Sequence, residues 1–90
     1  MSSIKRIVLD VLKPRQPNAL DFASAIVDRN ADCRVKVTVT EVDEKTETTV
    51  VVIESNDIPF AEISDTIVDL GGSIHSIDEV EVESVSGSQD

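Results

Sequence analysis

Ninety residues suffice for one domain with a single core. Eighteen acids against eight bases leave a net charge of −10, which repels phosphate backbones and anionic lipid and so argues against nucleic acid and membrane surfaces as partners. Two phenylalanines are the only aromatic residues, so valine, isoleucine and leucine must build the core, and oligomerisation is a common supplement to so small a core.

The first predicted element is a strand over 4–13, IKRIVLDVLK, with Ile7, Leu9 and Val11 on one side and Arg6, Val8, Asp10 and Leu12 on the other. Apolar residues on both sides suit a central strand. Pro14 and Pro17 interrupt its ladder, and KPRQP reads as an exposed loop that could offer Lys13 and Arg15 to an anion. From Pro17 to Asn30 the period lengthens. Ala19, Phe22, Ala23, Ile26 and Val27 form the stripe of an amphipathic helix, with Pro17 in its first turn.

A second strand follows over 33–43, where Cys33, Val35, Val37 and Val39 alternate with Arg34, Lys36, Thr38 and Thr40. The pattern slips between Glu41 and Val42, as a bulge would make it. DEKT turns the chain into a third strand over 47–54, and the run Val50 to Ile53 suits burial on both faces. A second helix is expected from SNDIPF onward. Asn56 or Asp57 caps it, Pro59 lies in its first turn, Phe60, Ile63, Ile67 and Leu70 face the core, and Gly71 ends it in the left-handed conformation. The last strand runs over 73–84. Residues 1–85 thus make one domain, and 86–90 form a tail with nothing apolar to pack.

This βαββαβ order predicts an α+β, ferredoxin-like split-βαβ sandwich. Its four-stranded antiparallel sheet has the order 4-1-3-2, with both helices on one face. Strict alternation in the last strand sends Ile74, Val80 and Val82 toward the helices and His75, Ile77, Glu79, Glu81 and Glu83 to the open face. Asp78 breaks the pattern, which implies a bulge near Ser76–Asp78.

Asp10, His75 and Glu79 are then the candidate metal ligands. Their carboxylates suit calcium or magnesium, and the imidazole tilts the set toward a transition metal. The alternative is a cross-strand pair between His75 and Asp10 on a solvated or oligomeric face. The acids as a whole are spread along the chain and fit either cation binding or a salt-adapted surface. Val8, Leu12 and Ile77 on an uncovered face point to a subunit interface, and the proline-free second strand is an edge that could pair with another chain. Gly71 and Gly72 follow a helix rather than precede one, which suits C-capping better than anion binding.

Catalysis finds little support. Ser64, Thr66, Ser73 and Ser76 lack a base and an orienting partner, and Cys33 is alone, without a metal or redox motif. His75 as a general base with Asp10 or Asp78 is the one enzymatic reading. The N-terminal stretch reads as no signal peptide, no run approaches the roughly 18 apolar residues of a membrane helix, and a cytoplasmic protein is expected.

Three segments, IKRIVLDVLKP, VTVTEVDEKTE and LGGSIHSIDEV, resemble the archaeal family called domain of unknown function 211 across residues 3–82. Gly71, Gly72, Ile74, His75, Ser76, Ile77, Asp78 and Glu79 carry its most distinctive motif. The resemblance implies a ferredoxin-like fold, a cytoplasmic archaeal origin and an oligomer, and it implies no established activity. Ten aspartates against four lysines look like a halophilic member. The reading is a non-enzymatic, oligomeric binding or regulatory module for a small metabolite or divalent cation, held at the open sheet face or a subunit boundary. A structural or partner-docking protein acting through an exposed edge strand is the alternative.

Overall fold

The computed structural model of the chain describes residues 1–84; the tail expected at 86–90 lies outside them. In chain order the elements are β1 (Ser2–Pro14), α1 (Ala19–Arg29), β2 (Arg34–Val42), β3 (Thr46–Glu54), α2 (Phe60–Asp69) and β4 (Ser73–Ser84). All four strands pair antiparallel in the order β2-β3-β1-β4, which is the expected order counted from the other edge. The protein is therefore α+β, with β1 and β3 inside the sheet and β2 and β4 at its margins.

Alternation along β1 organises the layers. Ile7, Leu9 and Val11 are buried, while Arg6, Val8, Asp10 and Leu12 are only partly so. The buried set packs with Val51 and Ile53 of β3, Phe22 and Ile26 of α1, and Ile63 and Ile67 of α2 in one cluster. Both helices thus cover the same face of the sheet. Each fully buried side chain of this size contributes roughly 1.5–3 kcal/mol.

Local chemistry sets the helix ends, not always as expected. Pro17 lies outside α1; Asn18 is the cap, its Oδ1 accepting from the Asp21 N–H at 2.8 Å. Neither Asn56 nor Asp57 caps α2. Pro59 occupies that position with no side-chain hydrogen bond, and the approach is fixed instead by buried Ile58, whose N–H donates to the Ile4 carbonyl at 2.9 Å. Gly71 ends α2 with φ of 88°, as predicted. The β2 bulge falls one residue early, at Thr40, between the pairs Val39↔Thr49 and Glu41↔Thr48.

Lys13 is not in an exposed loop. It continues the inward phase of Ile7, Leu9 and Val11, and is 1% exposed. Its ammonium donates to Glu47 Oε1 at 2.7 Å and to the Pro14 carbonyl at 2.8 Å, and it lies 5.7 Å from the centre of the Phe22 ring. Lys13 pairs directly with Glu47 across β1 and β3. A charge taken from water in this way is tolerated only with its partner in place. Glu47→Ala is expected to destabilise the fold by about 3–5 kcal/mol, because it strands a buried ammonium. Urea denaturation checks this, and the Lys13→Met/Glu47→Leu double variant should recover much of the loss.

Candidate functional site: the bare face of the sheet

The face opposite the helices is a grid set by pairing, since directly opposed residues share a side. One row reads Arg34, Glu54, Arg6, Glu81; the next reads Lys36, Val52, Val8, Glu79; a third reads Thr38, Val50, Asp10, Ser76. The β2 margin of this face is therefore basic and the β4 margin acidic, while the two central strands carry Val8, Val50 and Val52 beside the Arg6–Glu54 pair and Asp10.

Register shifts in the β1–β4 ladder decide what β4 presents. Leu9 opposes Ile77 and Val8 opposes Glu79, which leaves Asp78 as an extra residue. Asp10 opposes Ser76 and Val11 opposes Ile74, which leaves His75 as another. Each is a β-bulge that resets the alternation. The irregularity expected near Ser76–Asp78 is present, and a second one falls at His75. As a result Ile77 shares the helix side with Leu9, contrary to strict alternation, and it remains 49% exposed because it sits on a margin strand.

Asp10, His75 and Glu79 therefore belong to different parts of the grid. Asp10 sits opposite Ser76, His75 is an exposed bulge residue, and Glu79 sits opposite Val8. Glu79 Oε2 accepts from Arg6 Nε at 2.7 Å, and Ser76 Oγ donates to Asp78 Oδ1 at 2.8 Å. Among the described residues, no three His, Cys, Asp or Glu side chains gather as a group that could hold a metal ion.

What the grid does gather is cations. Arg6 bridges two strands, donating from Nε to Glu79 and from Nη1 to Glu54 Oε2 at 2.8 Å. Hydrogen bonds to Glu79 and then Glu54 raise the guanidinium pKa above its ordinary value. Beside it, Arg34 and Lys36 are exposed and make no ion pair among the described residues. These three, with Val35, Val52 and Glu54, line a concavity of about 440 Å³. Its chemistry suits an anionic group: three cations face it, against one carboxylate. Nothing in the distribution of acids along the sequence marks this site. Its signal was the outward phase of Arg34 and Lys36 on β2, two of only eight bases in the chain.

The motif glycines serve the fold. Gly71 N–H donates to the Val68 carbonyl and Gly72 N–H to that of Ile67, both at 2.9 Å, closing α2 and launching β4. A Cβ on Gly72 would lie 2.9 Å from Ile67 Cγ2.

Among known proteins, the family model DUF211, described as an uncharacterised ArCR, matches residues 5–88. An uncharacterised protein of Methanocaldococcus jannaschii is 48% identical over 80 residues, which cover 89% of this chain and 82% of that relative. No helix among the described residues is long and apolar enough to cross a membrane.

Gly72→Ala should cost about 1–3 kcal/mol, because the added methyl overpacks against Ile67. Thermal unfolding checks this, and Gly71→Ala should lose roughly 1 kcal/mol for its left-handed backbone.

Proposed function

We propose that this chain, which belongs to the DUF211 family, is a non-enzymatic, oligomeric binding module of ferredoxin-like fold that holds a small anionic metabolite on its bare sheet face. The observation that carries the reading is the meeting of Arg6, Arg34 and Lys36 at one concavity in a chain of net charge −10. Cations so placed against the prevailing field need a local reason. Arg6 is already held by two carboxylates, so it orients the site, and Arg34 and Lys36 are the groups available to a ligand carboxylate or phosphate. Val52 gives the site an apolar floor. The remaining acids then serve as a solvated, salt-adapted surface in a cytoplasmic protein.

A divalent cation on Asp10, His75 and Glu79 is the competing reading. Calcium or magnesium there would have to draw Glu79 away from Arg6.

Isothermal titration with inorganic phosphate and with citrate should give saturable heats that vanish in the Arg34→Ala/Lys36→Ala double variant. Flat heats with both anions in the parent protein would refute the anion reading. Titration with calcium, magnesium, manganese and zinc, repeated on His75→Ala and Asp10→Asn, tests the cation reading in the same instrument.

A further inference from the structure

We infer that the ligand of this concavity is an acidic α-amino acid, with its two carboxylates on Arg34 and Lys36 and its ammonium on Glu54. This rests on the anion reading of the same site and names the ligand class within it. Cations alone would suit any small anion. Glu54 narrows the choice, because a carboxylate in the wall repels a simple anion and attracts a ligand that also carries a positive charge. Its side chain is 44% exposed, and among the described residues it binds Arg6 through Oε2 only, which leaves Oε1 for a donor.

Pairing places the three groups side by side. Glu54 lies directly opposite Arg34 of β2, and Val52 directly opposite Lys36. Opposed side chains stand about 4.5–5.5 Å apart at Cβ. Arg34 and Lys36, two positions apart on one strand, stand roughly 7 Å apart on the same side. An acceptor therefore lies beside one of two cations that are separated by the length of a short carbon chain. Arg34 makes no ion pair with Glu54 or with any other described residue, and neither does Lys36. Open donors and an open acceptor on one wall are the complement of a zwitterion. Val52 offers an apolar patch to the methylenes that join the two carboxylates.

The charge balance agrees. Arg6, Arg34 and Lys36 stand against Glu54 and Glu79, which leaves one positive charge in excess. L-Glutamate and L-aspartate each carry one net negative charge at neutral pH. A dicarboxylate without the amine carries a larger negative charge and gives Glu54 nothing to bind. An amino acid with a neutral side chain leaves one of the two β2 cations unused. Nucleotides fit less well. A base needs an aromatic platform, and the only aromatic side chains of the chain, Phe22 and Phe60, pack with the core on the helix side.

The test is isothermal titration of the full chain at low ionic strength. L-Glutamate is compared with glutarate and N-acetyl-L-glutamate, and L-aspartate with succinate, on the parent protein and on Glu54→Gln. The parent protein should bind at least one of the two amino acids roughly 5- to 30-fold more tightly than its counterparts without the ammonium, as expected for one partly exposed, charge-assisted hydrogen bond. Glu54→Gln keeps an acceptor for Arg6 and removes the charge, so it should erase that preference while the amine-free acids bind as well or better. Circular dichroism confirms that the variant is folded, and the comparison of ligands on the parent protein stands without it. A parent protein that holds glutarate and succinate as tightly as the amino acids overturns the inference. So does a preference that survives in Glu54→Gln, or an absence of heat with both amino acids. Phosphate keeps the two readings apart. Saturable phosphate heats with no preference for the ammonium remove this inference and leave the anion reading standing, whereas flat heats with phosphate, citrate and every organic acid remove both.

Discussion

The architecture depends on the register of β1 between its two neighbours. This strand gives Ile7, Leu9, Val11 and Lys13 to the helix side and Arg6, Val8, Asp10 and Leu12 to the bare side. Every other strand inherits its faces from that choice, because opposed residues in an antiparallel ladder share a side. A slip of one residue would send Arg6 and Asp10 into the core and bring the apolar set into water. Burial of the first set therefore fixes the positions of the cations on the second.

Much of this was legible in the sequence, and the misses have physical causes. Clean alternation in β2 identified both its faces, and the glycine after Leu70 marked the end of α2. In β4 strict alternation failed. Its apolar residues stand at 74, 77, 80 and 82, and only a bulge inside each three-residue gap puts them on one side. The spacing held that signal, but a strand rich in acids exerts little pressure that would reveal it. Lys13 misled for the opposite reason. Its inward phase was plain, and its charge argued for solvent. The partner that permits burial, Glu47, is 34 residues away and in phase with buried Thr49, Val51 and Ile53.

The candidate site shifts accordingly. Carboxylates and the single histidine are the residue types that metal chemistry needs. Pairing spreads them over the grid and commits Glu79 to Arg6. The same pairing collects Arg6, Arg34 and Lys36 from two strands separated by β3, an arrangement no linear motif displays. A face that is basic at one margin and acidic at the other, with valines and the Arg6–Glu54 pair between them, is a polar device. It can hold an anion at its basic side.

The faces of Ile74, Ser76 and Ile77 against β1 require the two bulges of β4. The most direct measurement is a set of cross-strand nuclear Overhauser effects between β1 and β4 in the full chain. Leu9 should show contacts with Ile77, Val8 with Glu79 and Asp10 with Ser76. Contacts of Val8 with Ile77 and Asp10 with His75, the pattern of an unbroken alternation, would contradict this register.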